Sequence, residues 1–230
     1  NELKNFQNAI NCYEKTIQID SNHADAHNNL GMVYYKLGEF QNSINCYEKA
    51  IQIDSNNVHA YNNLGNSLIG LERTKEAVDY YKKAIEIDSN YIKAHENLGI
   101  AFYKLGEFQK AISCHEKAIQ IDSNNSDVYN SLGTVFGELG ELQKAKSCYE
   151  KSIQINPSNS DPYWNLHSHA LDIDEALNIL IKLNNIDNTI IKAKIMISAL
   201  KGFKGKFEDF DTLIRSSESN HPMTRSIKWV

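Results

Sequence analysis

The sequence predicts an all-α chain organised as a solenoid of stacked helix pairs. Three observations predict it. A self-similarity with a period of 34 residues runs through most of the 230-residue chain. Each period carries two stretches in which apolar residues recur at helical spacing. The residues between those stretches are mainly Gly, Asp, Ser and Asn, which stop helices and make turns. Such repeats bury their apolar faces against neighbouring repeats, so no single large core is required.

The period is read directly. Asn29-Leu30-Gly31 returns as Asn63-Leu64-Gly65, Asn97-Leu98-Gly99 and Ser131-Leu132-Gly133. The segment from Glu48 to Asp54 returns at Lys82 to Asp88, Glu116 to Asp122 and Glu150 to Asn156. Full units therefore span 24–57, 58–91, 92–125 and 126–159, and residues 1–23 match the second half of a unit. Residues 160–187 form a degenerate unit. It opens with Asp161-Pro162-Tyr163-Trp164-Asn165-Leu166, but His167 stands where glycine is expected and the inter-helix segment is shortened. Residues 188–217 read as a C-terminal helical hairpin or cap, because terminal repeats are commonly atypical. Residues 218–230 read as a linker or the start of a further domain, and the chain as a piece of a longer protein.

Within a unit, His27, Leu30, Gly31 and Tyr34 lie on one face of a first helix, at i, i+3, i+4 and i+7. Leu37-Gly38-Glu39-Phe40 follows as a short turn whose glycine is free to take positive φ. Ile44, Tyr47, Ala50 and Ile51 then mark a second helix, which ends at Asp54-Ser55-Asn56. Gly31 and Ala50 are small where helix axes must approach to about 8–10 Å, and Tyr34 and Tyr47 fill the space beside them.

Composition excludes several function classes. A net charge of −5 gives no basic face for nucleic acid or an anionic membrane. No apolar run reaches the roughly 18 residues of a membrane span, so neither partner is expected. Cys12, Cys46, Cys114 and Cys148 share one repeat position. Equivalent positions in stacked repeats lie about 10 Å apart, too far for the roughly 7 Å Cα limit of a disulfide or for one shared metal ion. They read as packing thiols of a reducing compartment, which implies a cytoplasmic chain with no bound metal. His167 and His169 are two residues apart and point to different sides of a helix. Gly202-Phe203-Lys204-Gly205-Lys206 lacks the strand and spacing of a phosphate loop. No catalytic set and no cofactor site emerges.

The repeat resembles the tetratricopeptide repeat (TPR) family. Its positions are met by His27, Tyr61, His95 and Tyr129, then Leu-Gly, then Tyr34, Leu68, Phe102 and Phe136. They continue with Ser43, Ala77, Ala111 and Ala145, then Tyr47, Tyr81, His115 and Tyr149, and close on Ala50, Ala84, Ala118 and Ser152. One departure is consistent: Pro157 obeys the family's proline near the end of the second helix, whereas Ser55, Ser89 and Ser123 replace it.

The resemblance implies a right-handed α-α superhelix and a protein-interaction scaffold whose concave groove, lined by first helices, binds a peptide or protein. The residues before Leu-Gly are Asn29, Asn63, Asn97 and Ser131, with Asn165 in the degenerate unit. This series resembles the asparagine ladder in the TPR arm of O-linked N-acetylglucosamine transferases, which holds an extended peptide by its backbone. The chain has 27 asparagines, so only the periodicity separates this row from scattered ones such as Asn28, Asn62, Asn66 and Asn130. The family's inward positions add Tyr35, Asn66, Ile100, Tyr103 and Thr134. Replacing Asn29, Asn63 and Asn97 by Ala is then expected to weaken peptide capture without lowering stability. Cationic positions that grip a carboxylate in TPR cochaperones are matched to Asn28, Asn62, Glu96 and Asp127, so that mode is not expected. The alternative is the non-catalytic, substrate-recruiting arm of a larger enzyme: a glycosyltransferase of the same kind, or a methyltransferase following residue 230. Two copies are also expected to be able to pair through an open N-terminal repeat end.

Overall fold

A computed structural model describes residues 2–170, 173–186 and 191–203. Twelve helices and no strand occur among them. The all-α class expected from the sequence is therefore the class observed. The chain divides into two compact units, Asn1–Asn124 and Asn125–Val230. The expected linker at 218–230 lies outside the described residues, as does most of the second half of the expected hairpin at 188–217.

The first unit holds α1 (Glu2–Ile19), α2 (Ala24–Lys36), α3 (Phe40–Ile53), α4 (Val58–Gly70), α5 (Thr74–Ile87), α6 (Ile92–Lys104) and α7 (Phe108–Ile121). Helices α2, α4 and α6 are the first helices of successive pairs and lie side by side, while each also packs on the second helix before it and after it. The turn inside a pair needs a left-handed residue: Gly38 and Gly106 take φ of 76° and 74°, and in the middle pair Glu72 is forced to φ 61°. Close approach within a pair depends on glycine. A Cβ at Gly65 would sit 2.5 Å from the Tyr81 ring, and one at Gly31 would sit 2.6 Å from Tyr47. Those tyrosines are 1 % exposed, and Ala50 and Ala84 on the same helices are fully buried, as is Ala118 on α7.

The missing prolines have a substitute. Asp54 Oδ1 accepts the Asn56 N–H at 3.0 Å and Asp88 Oδ1 the Asn90 N–H at 2.9 Å, closing an Asx turn where each second helix stops. Asn57 then caps α4, its Oδ1 accepting the Ala60 N–H at 2.9 Å. Part of the asparagine excess is thus structural. Ser43, which replaces the family's alanine, donates to the Phe40 carbonyl at 2.8 Å and meets the Ser67 hydroxyl at 2.7 Å, so its buried oxygen is satisfied.

The second unit holds α8 (Ser126–Glu138), α9 (Leu142–Ile155), α10 (Asp161–Ser168), α11 (Ile173–Ile186) and α12 (Ile191–Phe203). The α8–α9 pair repeats the same design, with Gly140 at φ 74° and Gly133 against Tyr149. Asn125 caps α8 through the Asp127 and Val128 N–H groups. Helix α10 has only eight residues, which is how the shortened segment is accommodated. Leu180, Leu183 and Ala193 are fully buried among α11 and α12, and Lys146 pairs with Glu175. No helix among the described residues is long and apolar enough to cross a membrane.

Candidate functional site

The residues singled out from the sequence sit on the first helices. Asn29, Asn63 and Asn97 are half-buried on α2, α4 and α6. Their carboxamides are not idle. Asn63 Nδ2 donates to Asn28 Oδ1 at 3.3 Å, and Asn97 Nδ2 donates to Asn62 Oδ1 at 2.9 Å. Within a repeat, Asn28 Nδ2 points at Asn29 Oδ1 and Asn62 Nδ2 at Asn63 Oδ1, both at 3.5 Å, which is long and weak. Five carboxamides on three helices thus form one hydrogen-bonded chain. In the second unit, Asn165 Nδ2 donates to Asn130 Oδ1 at 2.9 Å. Ser131 is half-buried on α8.

Asn28 and Asn62 read as scattered in the sequence, yet they are buried, at 8 % and 4 % exposure, and bonded to the ladder. The signal that finds them is a second period: each acceptor lies 35 residues before its donor. Two expectations are corrected here. Replacing Asn63 and Asn97 by Ala would strip the buried Asn28 and Asn62 oxygens of their donors, at about 1–3 kcal/mol each, so the triple alanine variant loses stability. The series Asn28, Asn62, Glu96 continues at Asn130 on α8, whereas Asp127 is an exposed first-turn residue whose carboxylate meets the Asn159 amide at 3.3 Å.

The flanking residues divide. Tyr35 is 40 % exposed, with its ring 5.5 Å from Phe40, and Ile100 is 38 % exposed. Tyr103 leans on Phe108 at 5.9 Å. Met32, at 41 % exposure, was missed, although it occupies the repeat position of Asn66 and Ile100. Asn66 accepts from the Tyr81 hydroxyl at 2.8 Å, and burial pushes that hydroxyl's pKa well up, so it stays a neutral donor. Thr134 donates to the Asn130 carbonyl in its own helix at 3.1 Å.

Charge on the first helices is uneven: α2 carries Asp25 and Lys36, and α6 carries Lys93, Glu96 and Lys104. Helix α4 carries no charged residue at all. On α6, Glu96 is 7 % exposed and paired with Lys93 at 3.0 Å. All four cysteines are free thiols, and burial pushes Cys46 and Cys114 up to about 11, so neither is a thiolate near neutral pH. Among the described residues, no three His, Cys, Asp or Glu side chains are gathered to hold a metal ion.

Known proteins place this architecture. The chain is similar to the MamA protein, with 27 % identity over 74 % of this chain and 94 % of that one, at a TM-score of 0.62. It shares its fold with YrrB, a TPR protein with an unusual peptide-binding site, at 23 % identity over 79 % of this chain and 95 % of that one, TM-score 0.59. It also shares its fold with pilF of Pseudomonas aeruginosa, at 19 % identity over 86 % of this chain and 92 % of that one, TM-score 0.74. No curated protein sequence matches the chain. A family model described as tetratricopeptide repeat matches residues 22–90, 59–124 and 90–158, and one described as TPR repeat matches residues 1–38. Paired helices with glycine seated against a buried tyrosine, repeated at the spacing these models cover, make the chain a member of the tetratricopeptide repeat family.

Proposed function

We propose that the first-helix face binds an extended protein or peptide segment, held chiefly by its backbone, and that the chain acts by holding rather than by catalysis. The row of Asn29, Asn63 and Asn97 carries this reading. A carboxamide has a donor and an acceptor, so it can satisfy the N–H and C=O of a peptide unit together. A row repeated on neighbouring helices does so at several points along an extended chain. Met32, Tyr35 and Ile100 supply exposed apolar surface on the same helices. Because α4 carries no charged residue, the segment that fits the face is uncharged where it meets α4. The peptide-binding site described for YrrB, a protein of the same fold, supports a peptide as the ligand class.

The test uses displayed random peptides of about ten residues, long enough to cross three helices spaced about 8–10 Å apart. The wild type is expected to enrich uncharged peptides. Tyr35→Glu combined with Ile100→Glu leaves the carboxamide chain intact, and both sites are exposed, so melting should be little changed. Capture should fall about tenfold or more. Equal capture by the double variant sinks the reading.

The same asparagine row favours a second reading, in which the chain is the substrate-recruiting arm of a larger enzyme, as in O-linked N-acetylglucosamine transferases. A stop codon directly after Val230 in the gene removes it.

A further inference from the structure

We propose that Asn28 and Asn62, with Asn130 in the second unit, are positioning residues that hold the ladder carboxamides in one orientation for binding. This inference rests on the reading of the first-helix face as a binding surface. Asn28 and Asn62 are 8 % and 4 % exposed, so they are poorly placed to meet a bound segment themselves. A buried carboxamide needs hydrogen-bond partners. The Oδ1 of each is satisfied from the following repeat, by Asn63 at 3.3 Å, Asn97 at 2.9 Å and Asn165 at 2.9 Å.

This bond matters because of how asparagine behaves alone. The terminal amide torsion of a surface asparagine is broad, so its donor and acceptor exchange places easily. Binding would then have to freeze each one, which lowers affinity. Here one N–H of the ladder residue is committed to a buried acceptor. At Asn63 and Asn97 the amide plane is set, and the second N–H and the Oδ1 are presented in the same order, while Asn29 is oriented by accepting from Asn28 at 3.5 Å. The weaker contacts from Asn62 to Asn63 and from Asn28 to Asn29 point the same way. Two links donate to the preceding repeat and two stay within a repeat, so donation runs head to tail from Asn97 through Asn62, Asn63 and Asn28 to Asn29, an arrangement in which each hydrogen bond polarises the next.

The sequence carries an independent trace of the pairing. Where the acceptor position is Asn, at 28, 62 and 130, the donor position of the next repeat is also Asn, at 63, 97 and 165. Where the acceptor position is Glu96, the next donor position is Ser131. The two positions change together, as positions serving one hydrogen bond do.

The experiment has two readouts on the full chain. In the first, carboxamide proton exchange is followed by ¹⁵N NMR. The Asn97 and Asn63 side-chain protons are expected to exchange more slowly than those of exposed Asn90. In Asn62→Leu, which keeps the volume and removes both bonding groups, the protection of Asn97 should vanish. In Asn62→Asp, which keeps an acceptor, it should persist. In the second, binding is measured with a synthetic copy of the most enriched displayed peptide. Asn62→Leu should bind about tenfold or more weakly, with Asn62→Asp recovering part of the loss. Asn28→Leu, which removes the acceptor of Asn63, gives the same test on the Asn63 protons if Asn62→Leu melts early. Wild-type binding with equal affinity in both leucine variants overturns the positioning role and leaves the binding reading standing. Wild-type Asn97 protons exchanging as fast as those of Asn90 also overturn it. No enriched peptide at all overturns the binding reading, and the positioning role with it.

Discussion

At the scale of single residues, the third pair departs from its neighbours in the core. His115 occupies the site of Tyr47, Tyr81 and Tyr149, is 1 % exposed, and has no hydrogen-bond partner at Nδ1. Burial brings its pKa from the usual 6.5 down to about 4. A lowered folded pKa for a base means that the folded state prefers the neutral ring. Stability is therefore present above about pH 6.5 and is lost as pH falls towards 4. By linkage the loss reaches about 2 kcal/mol by pH 5. His115→Tyr restores the residue used by the other pairs, and Gly99 already supplies the seat for its ring. Urea unfolding at pH 7 and pH 5 should show the wild type losing about this much between the two, and the variant losing clearly less. Equal losses would mean that His115 is not the titrating group. The sequence showed His115 at a tyrosine position. It did not show the unpartnered nitrogen, because that depends on which atoms surround the ring.

At the scale of elements, each pair is defined by its turn and by where its second helix stops. The turn position holds Gly38, Gly106 and Gly140, and Glu72 in the α4–α5 pair. A side chain in the left-handed region costs about 1–2 kcal/mol. Glu72→Gly removes that strain but gives the unfolded chain more freedom. The balance predicts a gain of about 0.5–1 kcal/mol, read as a higher urea midpoint with an unchanged slope. A lower midpoint would show that Glu72 contributes more than its strain takes away. The turns were legible because glycine is a local signal and the period gives its register. The helix ends were half legible. The serines at 55, 89 and 123 stand where the family has proline, whereas the stop belongs to the aspartate one residue earlier, whose side chain accepts the backbone N–H two residues on.

At the scale of the whole molecule, the repeat was legible and the partnerships between repeats were not. Periodicity reports which positions are equivalent, so it found Asn29, Asn63, Asn97 and Asn165. A bond between non-equivalent positions of adjacent repeats, such as Asn97 to Asn62, depends on how the helices stack. Asn66 illustrates the same limit: a groove candidate by register, it is engaged by Tyr81 from the neighbouring second helix. These bonds change what the asparagine row means, since its members support buried partners as well as facing outward. The central claim is that this row reads a backbone rather than a set of side chains. Its most direct test measures the affinity of the selected peptide, of a scrambled version with the same composition, and of a version N-methylated at alternate residues. Scrambling should change the affinity by no more than about threefold, and N-methylation, which removes backbone donors, should lower it about tenfold or more. Full binding by the N-methylated peptide, with loss on scrambling, would contradict the account.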